Sequence, residues 1–280
     1  MKFLTYLALF LTISITGNVF PLRGQEKVPS DRIAFQQGEK LVYAVSYKIG
    51  FVNTDIAEVI FSTSGGAVNG RPTYHVTAIG QTYPFYSWFF EMRDVYDTWL
   101  DVETLKPLYF KNNIREGNYR FVSSMVYDWD NMRVKTKAKN LRIGQERSKE
   151  MELSPTSYDG VALYYNLRNT DLQTITDGFR GNIELVLADT IKRLQYRFLG
   201  REVKSVPGLG KFNTLKFACQ LTNSKDDNAF KEGTEFTVWF SDDRNKIPLY
   251  IESPIRVGSI KGRLLEWNGL KYPLSSRIEK

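Results

Sequence analysis

The sole histidine, His75, alternates with Thr73, Thr77 and Ile79 in a run that reads as one strand. One histidine cannot build a three-histidine zinc site, and Cys219, the single cysteine, lies far from it in sequence. Neither G-x-S-x-G nor H-E-x-x-H occurs. A Ser-His-Asp arrangement stays open, because its members need not be adjacent. Cys219 alternates with Leu215, Phe217 and Leu221, which suits a small buried hydrophobe better than a reactive thiol. Asp242, Asp243 and Asn245 offer hard oxygen ligands, but not in the spacing of a calcium-binding loop, and they read as a polar hairpin turn. Gly208-Leu209-Gly210 follows Pro207 without the rest of a phosphate-binding signature and is also a turn. Glycoside chemistry needs two carboxyls at a set separation in space, for which Asp94, Asp97, Asp101 and Glu116 are the candidates.

Aromatic density is the unusual feature. Phe, Trp and Tyr make up 39 of the 280 residues, and Tyr83, Phe85, Tyr86, Trp88, Phe89 and Phe90 fall within eight positions. Core packing accounts for most aromatics in a large β protein. A short segment with rings all around cannot bury every one against a single sheet face, so some line a cavity, cap its mouth or touch a partner. Tyr83, Phe85, Tyr86, Trp88 and Phe89 are therefore the expected ligand-contacting residues.

The elements that must position these groups are mainly strands. Leu41, Tyr43, Val45, Tyr47 and Ile49 share one face, and similar alternation recurs at Thr73 to Gly80, Arg93 to Leu100, Tyr119 to Tyr127, Ile183 to Ala188, Lys192 to Leu199, Leu215 to Leu221, Thr234 to Phe240 and Arg256 to Glu266. Turn chemistry separates the runs, as at Asn69-Gly70, Glu116-Gly117-Asn118 and Pro207-Gly208. The pattern predicts a mainly β fold: an antiparallel curved sheet, open barrel or sandwich, with one or two short helices. One helix is expected over Thr156 to Asn169, with capping residues in Ser154 to Asp159, and a short aromatic helix or buried strand over Pro84 to Met92. Trp99-Leu100-Asp101 with Lys106-Pro107-Leu108-Tyr109 parallels Trp239-Phe240-Ser241-Asp242 with Lys246-Ile247-Pro248-Leu249-Tyr250. Either shared hairpin chemistry or a true repeat explains this; a repeat would make two related halves joined by the 156–169 helix.

Lys2 followed by the apolar run Phe3 to Ile15 has the layout of a secretory signal peptide, assigned here to residues 1–24 with an indistinct cleavage site. Residues 25–280 then form a single antiparallel β domain with no transmembrane span, in the periplasm or cell envelope. The net charge of +7 is dispersed. Arg133, Lys135, Lys137 and Lys139 alternate along one strand and read as a solvated face, and an exported protein is not expected to bind nucleic acid.

Several phrases also resemble a known set: Gly38-Glu39-Lys40-Leu41, Gly50-Phe51-Val52, Leu105-Lys106-Pro107, Ile114 to Arg120, Tyr127-Asp128-Trp129, Trp239 to Asp243 and Val257-Gly258-Ser259. They are similar to the domain-of-unknown-function family DUF3108, exported proteins of Gram-negative envelopes, from about Gly38 to Leu265. The resemblance implies an envelope setting and no catalytic residue. The W-x-D and P-L-Y hairpin phrase is also similar to a hairpin of the periplasmic lipoprotein carriers, whose curved sheet encloses acyl chains. No cofactor is expected. The leading expectation is a non-catalytic envelope protein that binds an apolar or amphiphilic ligand such as lipid. The alternatives are an envelope assembly or protein-interaction module and, remotely, a carbohydrate-active hydrolase.

Overall fold

The computed structural model describes residues 27–170, 175–222, 235–255 and 258–279. The expected signal peptide, and the expected strand starts at Thr234 and Arg256, lie outside them. Among the described residues, sixteen strands form one sheet: β1 (Lys40–Ile49), β2 (Val52–Val68), β3 (Arg71–Thr82), β4 (Arg93–Asp101), β5 (Pro107–Glu116), β6 (Tyr119–Asp128), β7 (Arg133–Asn140), β8 (Gln145–Glu152), β9 (Ser157–Tyr158), β10 (Arg180–Val186), β11 (Ile191–Val206), β12 (Gly210–Thr222), β13 (Phe236–Ser241), β14 (Pro248–Pro254), β15 (Ser259–Asn268) and β16 (Arg277–Glu279). Neighbours run β8 to β1 in reverse chain order and continue through β15, β14, β13, β12, β11 and β10 to β9, with β16 beside β12. Two antiparallel meanders thus meet where β1 pairs with both β2 and β15. Of the expected architectures, the chain adopts the curved sheet rather than two stacked sheets.

The free edges, β8 and β9, share no backbone ladder. Side chains of β7 and β8 instead reach the turn after β10. Thr136 donates to the Ala188 carbonyl at 2.6 Å, Lys149 donates to the Asp189 carbonyl at 2.7 Å, and Arg147 meets the Asp189 carboxylate at 3.3 Å. Below this seam Val186 packs with Leu108, Phe110, Met125, Tyr127, Trp129, Val134, Met151 and Leu153. The basic residues of β7 face an acidic edge: Arg133, Lys135 and Lys139 lie opposite Glu152, Glu150 and Glu146 of β8.

The helical expectations need shortening. The aromatic helix α1 covers only Pro84–Ser87, and Met92 instead bridges to Glu116. The central helix α2 is Gly160–Arg168, not 156–169, because Ser157–Tyr158 pairs in parallel with β10 and Asp159 is the N-cap. The Asp159 carboxylate accepts from the Val161 and Ala162 amides at 3.0 and 2.9 Å and from the Thr98 hydroxyl at 2.9 Å. Seven of the nine α2 residues are buried, so the helix plugs the sheet's interior rather than lying on it. Tyr164 and Tyr165 hydrogen-bond Tyr43 and Thr63, both at 2.9 Å. Arg168, wholly buried, makes a two-pronged ion pair with Glu39 and donates to the Ala34 and Asn245 carbonyls.

The paired hairpin phrases adopt matching geometry. Trp99 opposes Tyr109 and Trp239 opposes Tyr250, each followed by a register shift that sets Leu100 against Pro107 and Phe240 against Pro248. Each turn places a residue at positive φ, Leu105 at 56° and Lys246 at 46°, and each is capped by an aspartate, Asp101 or Asp243.

Candidate functional site

Period-two alternation sends every second residue of the first meander inward, and above α2 these side chains do not fill the space. They line a cavity of about 570 Å³, within the range of roughly 300–1,000 Å³ usual for small-molecule sites. Phe110, Ile114, Phe121 and Met125 form much of its wall, Gly160 and Val161 at the N-terminus of α2 its floor, and Leu185 to Thr190 its far side. Small residues leave the space: a Cβ at Gly80 would meet nothing closer than 3.8 Å, and Ala78, Ser123 and Ala138 line the same walls.

Two carboxyls are buried in this mainly apolar room. Asp94 of β4 and Glu116 of β5 hydrogen-bond each other, and Asp94 also accepts from the Arg115 amide at 2.9 Å and the Tyr96 hydroxyl at 3.4 Å. Burial pushes Asp94 up to about 6. Burial, then the Asp94 charge beside it, pushes Glu116 up to about 7. Like charges in contact cannot both ionise cheaply, so the pair titrates as a unit and holds a proton close to neutral pH. Glu116 Oε1 is buried with no hydrogen-bond partner among the described residues. The pair can accept from a ligand N–H or O–H, or donate its retained proton to a carbonyl.

Of the four carboxylates singled out in the sequence, the fold brings together only Asp94 and Glu116. Asp97 points to the opposite face, where it bonds His75 at 2.9 Å and Thr77 at 2.7 Å, and His75 stacks on Trp99. Asp101 caps its turn and pairs with Arg71. Asp243 likewise caps its own turn through the Asn245 amide. Cys219 is fully buried, and desolvation pushes its thiol well above the usual range.

None of Tyr83, Phe85, Tyr86, Trp88 and Phe89 lines the cavity. Tyr86 is anchored through its hydroxyl to Thr54 at 2.6 Å, and the Tyr83 amide donates to the Ile56 carbonyl at 3.0 Å. Phe85, Trp88 and Phe89 point to solvent, 74%, 81% and 80% exposed. The segment then re-enters the fold: Phe90 packs against the main core and Met92 lines the cavity. A ligand cavity was expected from sequence, but the residues that line it were not found there. Its one legible signal was the inward alternation of Asp94 with Tyr96 and of Glu116 with Ile114.

The cavity reaches solvent where Tyr119, Gln145, Arg147 and Asp189, all lining it, are exposed. No described helix is long and apolar enough to cross a membrane, which says nothing of strands.

A crystal structure of a β-barrel-like protein of domain of unknown function DUF1849 from Brucella abortus is similar, with TM-score 0.57 and 9% identity over 86% of this chain and 100% of that one. Another, from Parabacteroides distasonis and described as a possible lipoprotein, aligns with TM-score 0.34 and 10% identity over 85% and 98% of the chains. The first likeness establishes the fold alone. No curated protein matches the sequence. The profile of the family described as protein of unknown function, DUF3108, spans residues 42–265, so the chain belongs to that family.

Proposed function

We propose that this protein is a non-catalytic carrier of the cell envelope that holds an apolar or amphiphilic molecule, such as a lipid, in the cavity above α2. The observation that carries the reading is a mainly apolar room of about 570 Å³ in which the Asp94–Glu116 carboxyl pair is buried. Apolar walls with a few convergent polar groups are the composition of small-molecule sites. The ligand's chain would lie against Phe110, Ile114, Phe121 and Met125, and its polar group would satisfy Glu116 Oε1. Tyr83, Phe85, Tyr86, Trp88 and Phe89 would serve at the approach to the mouth, continuous with Met92 in the wall. The N-terminal charge and apolar pattern supports export.

The hydrolase alternative is disfavoured by geometry. Carboxyls that flank a glycosidic bond stand roughly 5 to 9.5 Å apart, whereas Asp94 and Glu116 are in hydrogen-bond contact and leave no place for a sugar between them.

The test is native mass spectrometry and lipid extraction of the purified protein, with a hydrophobic dye as second probe. Gly80→Leu and Ala78→Phe project side chains into the cavity from strand positions with no backbone strain. The parent should carry ligand or dye, and both folded variants should lose it. A parent that binds neither, or variants that bind equally well, overturns the carrier reading.

A further inference from the structure

We propose that the end of the molecule surrounding the cavity mouth docks on an anionic lipid surface; this rests on the carrier reading, and extends it from the ligand to where the ligand is exchanged. Because β1 to β8 reverse direction at every turn, alternate turns share an end. Residues 49–52, 82–93, 116–119 and 140–145 therefore lie together, at the end where the cavity opens beside Tyr119, Gln145 and Arg147. Backbone hydrogen bonds knit them into a rim: the Tyr83 amide to the Ile56 carbonyl, Gly117 to Glu91, and Leu141 to Arg120.

Seven of the eleven exposed large hydrophobic side chains among the described residues stand on this rim: Phe51, Phe85, Trp88, Phe89, Tyr119, Leu141 and Ile143. Phe51 is 108% exposed, at the tip of the β1–β2 hairpin. The other four, Val126, Leu199, Val203 and Ile278, are scattered along strands. The turns at the opposite end, such as Asn69-Gly70, Asp128 to Met132 and Asp242 to Asn245, carry none of them. Singly exposed apolar residues need no explanation, but their confinement to the tips at one end does.

Charge identifies the partner. The Lys139–Glu146 and Arg147–Asp189 pairs balance, leaving exposed Lys48, Arg93, Arg115 and Arg142 against exposed Glu91 on these turns and strand ends. Aromatic and aliphatic tips interleaved with basic side chains match a bilayer interface, where rings sit at headgroup depth and cations meet anionic lipid. Several separate protruding tips, rather than a flat face or groove, suit a soft surface that each tip enters on its own. An apolar molecule leaving the cavity between them would pass into the bilayer without crossing water.

The experiment is flotation of the mature protein with phosphatidylcholine vesicles, with and without phosphatidylglycerol, alongside measurement of cavity-bound lipid or dye. The parent should float with anionic vesicles and much less with neutral ones. A folded Phe51→Ser/Leu141→Ser/Ile143→Ser variant, and separately Arg93→Glu/Arg142→Glu, should partition about tenfold less or worse while keeping cavity occupancy. Gly80→Leu should do the reverse, losing occupancy and keeping vesicle binding. A parent that stays with the unbound fraction, or rim variants that float like it, overturns docking while a filled cavity leaves the carrier reading standing. Vesicle binding with an empty cavity overturns the carrier reading alone.

Discussion

At the scale of single residues, the Asp94–Glu116 pair is held in a costly state. Both carboxyls are raised above their ordinary values by burial, to about 6 and about 7. The folded state therefore binds more protons than the unfolded chain, and the pair's contribution to stability falls as pH rises through those values. The parent should lose thermal stability between about pH 4 and pH 7, and Asp94→Asn/Glu116→Gln should flatten that slope. A scan in which the two proteins share one pH profile would contradict the burial of the pair. The two matched tryptophans differ in the same terms of environment. Trp239 is buried under Lys204, whose ammonium lies 3.7 Å from the ring centre, whereas Trp99 is half-buried beneath His75. Trp239→Ala should cost about 3 to 5 kcal/mol in denaturant unfolding, and Trp99→Ala clearly less. Equal losses would mean that the outer faces of the two hairpins are covered alike.

At the scale of elements, α2 decides both core and cavity. It is too short to be stable alone, so its place depends on the cap at Asp159 and the ion pair at Arg168. Asp159→Ala removes the acceptor for two amides and orphans the Thr98 hydroxyl, a loss of about 2 kcal/mol or more by the usual cost of a cap. Arg168→Ala leaves Glu39 charged and buried, which typically costs about 3 to 5 kcal/mol. If either variant unfolds at the parent's denaturant midpoint, the plug does not hold the curved sheet from within. The edge strand β8 shows a different control. Seven of its eight residues, all but Met151, are exposed and polar, which blunts a free edge against pairing with another chain.

At the scale of the whole molecule, the sheet encloses a volume without completing a ladder. Side chains of β7 and β8 span to residues 188 and 189 across the mouth. A seam of side chains opens at less cost than a backbone ladder, since few buried contacts and hydrogen bonds must break. Thr136→Val together with Lys149→Ala and Arg147→Ala should leave the main core intact but raise amide exchange in residues 145–152 and speed exchange of a cavity-bound dye. Unchanged protection of β8 would show that the edge is held by its pairing with β7 alone.

By itself the sequence determined the class of fold and much of its detail. Alternation at β1, β3, β4, β6, β11 and β12 depends only on which side chains can face water, so it was legible residue by residue. The turn signals and the twin hairpins were legible for the same reason, because proline, glycine and aspartate act through local backbone geometry. Family membership was legible in phrases spread from Gly38 onward. The site was not. Asp94 and Glu116 are distant in sequence and meet only through the β4–β5 register, and the cavity exists because Gly80, Ser123 and Ala138 on different strands all happen to be small. The arrangement of the exposed rings needed the tertiary structure most. In a meander, which turns share an end depends on the parity of the strand count. The alternation signal misses β8, whose sequence Gln-Glu-Arg-Ser-Lys-Glu-Met-Glu is polar on both faces, and β2, whose lower half runs through Ser64-Gly65-Gly66. Each missed strand sends every later turn to the wrong end, so the gathering of Phe51, Trp88 and Ile143 around one mouth could be decided only by the folded chain.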